Sequence, residues 1–239
     1  MAPTPMTAPL TRWIIFDGDN TLWDVEALYD EARTALCRLL AEGTTTVEEI
    51  ERFQRARDHA LHREMGYARE RFPLSFTQTA LHFLAAGDDR LEEAHRLANR
   101  VFERAAAPME DVDDVLALLS AKSFRFALLT AGAHEVQQRR LEQFGRTHYF
   151  GATRIVERKE VATIAAFVAD LGAVPASTWM VGDSLKSDIV PAIAAGLNAI
   201  HLDVANWYEV EAAGSTRPDC ARVARTLKEA AEIILREAV

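Results

Sequence analysis

From Pro108 onward, short apolar runs alternate with segments of helical periodicity, and this alternation constrains the fold more than any other feature. The apolar runs predict strands at Phe124–Leu129, Thr178–Val181 and Ala199–Leu202, with a short extended piece at Ile155–Val156. The other segments predict helices over Asp113–Ala121, His134–Phe144, Val161–Leu171, Ile189–Ala195 and Ala224–Glu237. Such alternation is typical of an α/β fold in which helices cover both faces of a parallel sheet.

An earlier apolar run, Arg12–Phe16, predicts one more buried strand, which stops abruptly at an acidic turn beginning with Asp17. Active sites of parallel α/β sheets lie outside the carboxyl ends of the strands. The polar residues that directly follow each strand are therefore the candidates for catalysis and binding.

The segment between this turn and Pro108 is helical throughout, with apolar residues at three- and four-residue spacing in its first part. Capping residues and glycines divide it into four predicted helices. The first spans Val25–Leu40 before Gly43, and the second runs from the Thr46–Glu49 capping box to Gly66. The third starts with Ser75 and Gln78 and stops at Gly87, and the fourth is capped by Asp88 or Asp89 and ended by Pro108. We therefore predict an α/β core, residues 1–22 and 108–239, with a four-helix insert, residues 23–107.

The chain of 239 residues carries a net charge of −9, with 36 acidic and 27 basic residues. Nucleic acid polymers are bound largely by basic residues that neutralise phosphates, so this balance argues against such a partner. The same charge repels small anions, so a phosphate site in this protein needs local cations or a metal.

Other features predict a cytoplasmic protein without a membrane partner. No apolar stretch reaches the roughly 18–20 residues of a membrane span. The start, Met1–Thr11, has neither the basic nor the apolar region of a signal peptide and is interpreted as a frayed tail. Cys37 and Cys220 share no metal-ligand spacing and are expected to be reduced thiols. No sequence pattern indicates an oligomeric state.

Two acids, Asp17 and Asp19, follow the first strand and are separated by Gly18. Residues two apart in an extended segment point the same way, so both carboxylates can face one cavity. Carboxylates this close repel each other unless a cation joins them or one is protonated. Mg²⁺ suits this position because it prefers oxygen ligands and joins carboxylates to phosphates. Asp17 is then the candidate nucleophile, and Asp19 the candidate general acid and later base.

Residues after the other strands complete the predicted site. Thr130 and Ala131 offer a hydroxyl and backbone N–H groups at the start of a helix, where a phosphoryl oxygen can bind. Lys159 precedes another helix and can balance the charge of the carboxylates and of the transition state, with Arg158 as its rival. Two more acids follow the predicted strand Thr178–Val181. Asp183 is expected to be a metal ligand, and Asp188 is expected to hold Lys159 or a metal-bound water.

These segments together resemble the haloacid dehalogenase-like (HAD) hydrolases. FDGDNT resembles the first motif, in which a second aspartate and then a threonine follow the first aspartate. LLTAG resembles the second motif, Lys159 the third and GDSLKSD the fourth, and the similarity extends from about Arg12 to the C-terminus. A single motif of this kind is a weak signal, whereas four in the expected order are a strong one.

The resemblance implies a flavodoxin-like or Rossmann-like core, bound Mg²⁺ and an aspartyl-phosphate intermediate on Asp17. It also implies that Asp17 and Asp183 bind the metal through carboxylates, and Asp19 through its backbone carbonyl. The insert resembles the smaller helical cap of the family, which closes over the substrate. One departure is visible, because Ala131 stands where the second motif often has Asn, and one contact to the substrate or phosphate is then missing or replaced.

The predicted function is magnesium-dependent hydrolysis of a small phosphomonoester such as a nucleotide, a sugar phosphate or a phosphoglycolate-like acid. A haloacid dehalogenase shares the fold and nucleophile, but dehalogenases of the family lack the acid that stands here as Asp19. A phosphosugar mutase is distinguished only by product analysis. A phospho-accepting regulatory domain would lack the large insert and Asp19. A catalytically inactive scaffold would be free to lose the motif residues, and all of them are present in this sequence.

Several residues near the motifs carry secondary predictions. His134 follows the second motif, but we expect a structural or merely substrate-proximal role because the family mechanism does not need it. Trp23 and Asp24, at the entry to the insert, either line the cavity or serve packing and hinge roles. Four arginines of the insert are expected to form mainly a solvated helix face, with one able to reach the substrate: Arg33, Arg63, Arg69 and Arg71.

Overall fold

The computed structural model describes residues 12–204 and 217–237. Its strands are β1 (Arg12–Phe16), β2 (Trp23–Asp24), β3 (Ala107–Pro108), β4 (Phe124–Ala131), β5 (Phe150–Val156), β6 (Trp179–Gly182), β7 (Asn198–Leu202) and β8 (Arg222–Ala224). Six of them form one sheet in the order β5-β4-β1-β6-β7-β8, and every neighbouring pair is parallel. The predicted parallel α/β fold is confirmed, and the sheet is of the Rossmann-like type.

The helices are α1 (Glu26–Leu40), α2 (Val47–Met65), α3 (Arg71–Phe83), α4 (Arg90–Asn99), α5 (Val112–Ala121), α6 (His134–Phe144), α7 (Val161–Asp170), α8 (Val190–Ala194) and α9 (Leu227–Glu237). A π-helical turn, Leu185–Ile189, precedes α8. None of the helices in the described part of the chain is long and apolar enough to cross a membrane.

Both faces of the sheet are buried because alternate residues of each strand pack against different helices. In β1, Ile14 and Phe16 lie in a cluster with α5 and α9, whereas Trp13 and Ile15 lie in a second cluster with α7 and α8. These side chains are at most 3% exposed. Burial on both sides explains why β1 reads as a continuous apolar run, and it leaves the strand ends as the places for polar residues.

Helices α1 to α4 lie between β2 and β3, which pair with each other in an antiparallel ribbon. They bury an apolar cluster of their own around Leu36, Ile50 and Phe76, each fully buried. Val136 of α6 belongs to the same cluster, so the insert also packs against the core. The division into domains after residues 22 and 107 stays a prediction.

Several predicted helix ends need correction. The third helix begins at Arg71, not at Ser75, whose hydroxyl donates to the Phe72 carbonyl (2.7 Å) inside the helix and is buried. The Thr46–Glu49 capping box is confirmed, with Glu49 N–H donating to Thr46 Oγ1 at 3.2 Å.

The remaining corrections concern two chain segments that form strands. Pro108 does not end the fourth helix, because α4 and the 3₁₀ turn after it stop at Phe102 and Pro108 lies in β3. The last helix starts at Leu227, because Ala224 belongs to β8.

Cys37 and Cys220 are both free thiols, as predicted. The prediction for Met1–Thr11 concerns a segment outside the described residues.

Candidate active site

Asp17 lies at the carboxyl end of β1, between β4 and β6 in the middle of the sheet. Its backbone N–H donates to the Val181 carbonyl of β6 at 2.9 Å, and its side chain is buried. The connection after β1 leads to β4 on one side of it, whereas the connection after β6 leads to β7 on the other side. Open α/β sheets bind their ligands where the direction of the connections reverses in this way. The predicted nucleophile thus stands at the position that the fold favours for a reactive group.

The turn after Asp17 is shaped by two residues. A Cβ on Gly18 would lie 2.4 Å from the Trp23 indole, so only glycine lets this ring pack against the turn. Asn20 adopts a left-handed conformation (φ 55°), and its Oδ1 accepts hydrogen bonds from the N–H groups of Val25 and Glu26. The asparagine therefore caps the start of α1 and directs the chain from β1 into the helical insert.

Lys159 reaches the site from the loop between β5 and α7. Its ammonium donates to Asp17 Oδ1 and, at 2.5 Å, to Asp188 Oδ1, and the side chain is 2% exposed. Arg158, the rival considered from the sequence, is exposed. Lys159 is therefore the cation that the fold brings to Asp17.

Charges in this cluster are strongly coupled. Burial raises the pKa of Asp17 to about 7; Lys159 opposes this rise, and the neighbouring carboxylates of Asp188 and Asp19 add to it. Burial alone would lower the pKa of Lys159, but Asp17 and Asp188 outweigh it and raise that pKa above its ordinary value. One lysine faces several carboxylates, so the site favours a further cation.

Asp183 and Asp188 come from the segment after β6. The π-helical turn brings Asp188 back over Gly182, where a Cβ would lie 2.4 Å from the Asp188 carboxyl carbon. Ser184 N–H donates to Asp188 Oδ2 at 3.1 Å, and His201 Nε2 donates to the Asp183 carbonyl at 2.9 Å. These contacts fix both acids next to β1.

One oxygen from each of Asp17, Asp183 and Asp188 lies within 4.8 Å of the others, and all three residues are buried. Three hard oxygen donors with excess negative charge fit Mg²⁺, which prefers carboxylate ligands. The sequence had assigned metal binding to Asp17, Asp19 and Asp183 and a supporting role to Asp188. The cluster contains the carboxylates of Asp17, Asp183 and Asp188. The ligand expected from Asp19 is its backbone carbonyl, and the Asp19 carboxylate is not part of the cluster.

The Asp19 carboxylate accepts hydrogen bonds from three side chains. Trp23 Nε1 donates to Oδ1 at 2.6 Å, and Gln137 Nε2 donates to Oδ2 at 2.9 Å. Arg140 Nη1 forms an ion pair with the same Oδ2. Gln137 and Arg140 were not predicted from the sequence, although their spacing of three residues puts them on one face of α6.

Thr130 and Ala131 are the last two residues of β4, inside the strand rather than after it as predicted. Thr130 is 1% exposed, and its Oγ1 has no hydrogen-bond partner in the part of the chain that the structure describes. This hydroxyl lies 3.2 Å from the position of a Cβ built on Gly18, beside the acidic turn. Ala131 borders the cavity that contains Asp17. A buried hydroxyl without a partner is costly, so Thr130 is suited to bind a ligand oxygen.

A cavity of about 140 Å³ lies over Asp17, Lys159 and Asp183. Its other side is formed by side chains of the insert: Glu26, Tyr29, His62, Tyr67 and Arg71. Tyr67 Oη lies 3.3 Å from Ser187 Oγ of the core, so the insert contacts the core across this space. Tyr29, His62 and Tyr67 were missed in the sequence because helical spacing does not tell which polar side chains face a cavity.

The secondary predictions have mixed outcomes. His134 is exposed and does not border this cavity. Trp23 is buried against Phe144, with ring centroids 5.0 Å apart, and Asp24 Oδ1 accepts from Ala27 N–H at the start of α1. Both residues serve packing or capping.

The prediction that the four insert arginines are mainly exposed to solvent is wrong for two of them, Arg33 and Arg71. Arg33 is buried and pairs with Glu26 and Asp30, and Arg71 is buried and pairs with Asp58. Each has acids on neighbouring turns or helices that compensate its burial. Arg63 is exposed as expected.

A sequence model of the haloacid dehalogenase-like hydrolases matches residues 11–196, most of the chain. The protein belongs to this HAD family. The HAD hydrolase is 26% identical over 210 residues to the pyrimidine 5'-nucleotidase PynA of Streptococcus pneumoniae, covering 82% of this chain and 83% of that protein. It is 25% identical to the glyceraldehyde 3-phosphate phosphatase of Methanopyrus kandleri, with 84% and 88% of the two chains covered.

Among solved structures, the HAD hydrolase YfnB of Bacillus subtilis is similar in fold, with a TM-score of 0.70 over 95% of this chain and 99% of that chain, at 18% identity. That structure is bound to magnesium and reveals interdomain movement. At this identity the similarity shows the fold alone.

Proposed function

We propose that this HAD hydrolase is a magnesium-dependent phosphatase that hydrolyses small phosphomonoesters with Asp17 as its nucleophile. The observation that carries the proposal is the buried Asp17 carboxylate, which Lys159 contacts and which opens into a cavity of about 140 Å³. The two curated relatives act on a pyrimidine nucleotide and on glyceraldehyde 3-phosphate by their names, which supports a phosphomonoester as the substrate.

In the first step, an Asp17 carboxylate oxygen attacks the phosphorus, and the bond from phosphorus to the leaving oxygen breaks. Asp19, which borders the same cavity, gives a proton to the leaving oxygen, and the product is an alcohol and an aspartyl-phosphate. The Lys159 ammonium and the Thr130 hydroxyl bind phosphoryl oxygens and stabilise the negative charge of the transition state. The Ala131 N–H adds a backbone donor beside them.

In the second step, a water oxygen attacks the phosphorus of the aspartyl-phosphate. The water gives its proton to the ionised Asp19, the bond between Asp17 and phosphorus breaks, and inorganic phosphate leaves. Asp188 keeps Lys159 beside Asp17 during both steps through its hydrogen bond to the ammonium. Cleavage of the bond between Asp17 and phosphorus restores the free Asp17 carboxylate.

Mg²⁺ would be held by the carboxylates of Asp17 and Asp183 and, as the family resemblance implies, by the backbone carbonyl of Asp19. When bound, it supplies positive charge that screens the carboxylates from an anionic substrate. Asp188, the third acid of the cluster, is committed to Lys159 and Ser184 N–H. It is therefore assigned a supporting role.

The helical insert is proposed to act as a cap with the boundaries 23–107. Its side chains Glu26, Tyr29 and Tyr67 border the cavity opposite Asp17, where a closing cap would exclude bulk water from the site. A cavity of about 140 Å³ is below the roughly 300–1,000 Å³ of drug-sized ligand pockets, which favours a compact metabolite over a phosphoprotein.

The decisive experiment measures phosphate and alcohol released from p-nitrophenyl phosphate and from a panel of small metabolite phosphates, with and without Mg²⁺. Equal amounts of phosphate and alcohol in the presence of Mg²⁺ are expected. Transfer of the phosphate to another hydroxyl of a sugar would indicate a mutase instead, and halide release from a 2-haloacid would indicate a dehalogenase. A protein that becomes phosphorylated on Asp17 without turnover would be a regulatory domain.

A further inference from the structure

Asp19 is held by two donors on α6, the first helix after β4, and by a third donor in β2. The guanidinium of Arg140 and the amide of Gln137 both donate to Asp19 Oδ2, and Trp23 Nε1 donates to Oδ1. An ionised carboxylate only accepts hydrogen bonds, whereas a protonated one must also donate. All three neighbours of Asp19 are donors, so they fix the orientation of both of its carboxyl oxygens.

The two donors of α6 are themselves fixed. Arg140 is 6% exposed and Gln137 is 2% exposed, so neither side chain can move freely into solvent. Gln137 Nε2 also donates to the Ala131 carbonyl at 3.1 Å, and a Cβ on Gly132 would lie only 3.0 Å from this nitrogen. A buried arginine is costly unless it is paired, and Asp19 is the acid with which Arg140 forms its ion pair.

A second cavity, of about 50 Å³, lies beside this group and is bordered by Asp19, Gln137 and Arg140. Gln137 Oε1 is buried and has no hydrogen-bond partner among residues 12–204 and 217–237, whereas the Arg140 guanidinium also interacts with the Tyr29 side chain. A space of this size exceeds the roughly 10–15 Å³ that a single water needs. The unpartnered Gln137 Oε1 beside Asp19 thus offers an acceptor for a water molecule in this space.

We propose that Arg140 and Gln137 are positioning residues that hold Asp19 as the proton acceptor for the water of the second step. The proposal rests on the phosphatase function proposed above. In that step the water oxygen bonds to phosphorus, its proton moves to Asp19, and the bond from phosphorus to Asp17 breaks. Loss of either positioning residue should slow the hydrolysis of the aspartyl-phosphate more than its formation.

The experiment compares p-nitrophenyl phosphate kinetics in Arg140→Met and Gln137→Leu with those of matched neighbours on α6. Arg139→Met and Gln138→Leu serve as controls, because both residues are exposed and neither contacts Asp19. Rapid-quench measurements give the burst of p-nitrophenol, and mass spectrometry of acid-quenched enzyme gives the phosphorylated fraction.

For Arg140→Met we expect kcat to fall about tenfold, or ~1.4 kcal/mol of barrier, while KM falls with it and kcat/KM changes less than about threefold. The phosphorylated fraction in the steady state should rise, and Gln137→Leu should show the same pattern to a smaller extent. The control variants should match the wild type.

A variant that loses kcat/KM as strongly as kcat, with no rise in phosphoenzyme, would overturn the positioning role. If Arg140→Met does not fold, Gln137→Leu and Arg140→Lys decide the question. For each variant, the loss of kcat relative to wild type is compared with the loss of kcat/KM. A wild-type enzyme that releases no phosphate at all would instead overturn the proposed phosphatase function, so the two failures are distinguishable.

Discussion

The ammonium of Lys159 donates a hydrogen bond to the carboxylate of Asp17, although 142 positions separate the two residues in the sequence. The contact forms because β1 lies between β4 and β6, and the loop after β5 folds back over the end of β1. The proposed nucleophile and its cation are thus brought together by the sheet order rather than by any local motif. Each of the following predictions depends on this arrangement or on the insert above it.

Asp17→Asn should lower turnover of p-nitrophenyl phosphate by far more than tenfold and leave the fold intact, because the amide cannot form the aspartyl-phosphate. Circular dichroism and kcat/KM check this result. Asp170→Asn, which changes an exposed aspartate paired with Arg154, is the matched control and should keep full activity. A rate for Asp17→Asn within about tenfold of wild type, or ~1.4 kcal/mol of barrier, would exclude Asp17 as the nucleophile.

Magnesium should bind to the folded protein and raise its Tm, by an amount equivalent to about 2.7 kcal/mol at a hundredfold excess over Kd. Asp183→Asn should lose most of this rise, because it removes one of the clustered carboxylates. Chelation should abolish activity, added Mg²⁺ should restore it, and Ca²⁺ should inhibit because its larger shell disturbs the geometry. Full activity in excess chelator, or an unchanged Tm rise in Asp183→Asn, would contradict this assignment.

Lys159→Met should reduce the free energy of unfolding by about 3 kcal/mol, because the carboxylates of Asp17 and Asp188 are left without their buried partner. Urea denaturation measures the change. Arg158→Met removes the exposed neighbouring cation and should alter stability by less than about 0.5 kcal/mol. Equal stability of the two variants would mean that Lys159 does not balance the buried acids.

Substitutions of the insert side chains that border the cavity should change substrate preference. Tyr67→Ala and Glu26→Gln should alter the ratio of kcat/KM among metabolite phosphates more than they alter hydrolysis of p-nitrophenyl phosphate, which needs little from the cap. Arg63→Ala, at an exposed position of α2, is the control. The panel should include a pyrimidine nucleotide and glyceraldehyde 3-phosphate. A preference that no insert variant changes, or comparable rates on folded phosphoproteins, would contradict the proposed cap.

His62 should make the protein less stable in mild acid. Burial and the nearby Arg71 lower the pKa of His62 to about 4, from an ordinary value of 6.5. Because the unfolded chain binds the proton first, the contribution of neutral His62 is complete above pH 6.5 and decreases as the pH falls towards 4. His62→Gln should therefore lose less stability than wild type over this range, whereas His95→Gln, at an exposed position, should follow the wild type. Parallel curves for all three proteins would exclude the effect.

The sequence by itself determined the main strands and helices of the fold and most of the candidate active-site residues. Burial on both faces made β1, β4 and β6 read as short apolar runs, and the polar residues at their carboxyl ends include Asp17, Thr130 and Asp183. These features are local, since they depend on strand period, turn chemistry and the residue after a strand. The parallel sheet, the helical insert and the list of candidate residues were therefore predictable.

Only the tertiary structure decided which of these groups meet. Gln137 and Arg140 bind Asp19, and His62 and Tyr67 border the cavity, because the packing of α6 and of the insert brings them there. Periodicity gives the face of a helix that is buried, but it does not give the partner of that face or the direction of a long side chain. Arg71 illustrates this limit. It was expected either on a solvated helix face or near the substrate, and it borders the cavity while it is buried against Asp58, because ion pairing across two helices is a property of the packed fold.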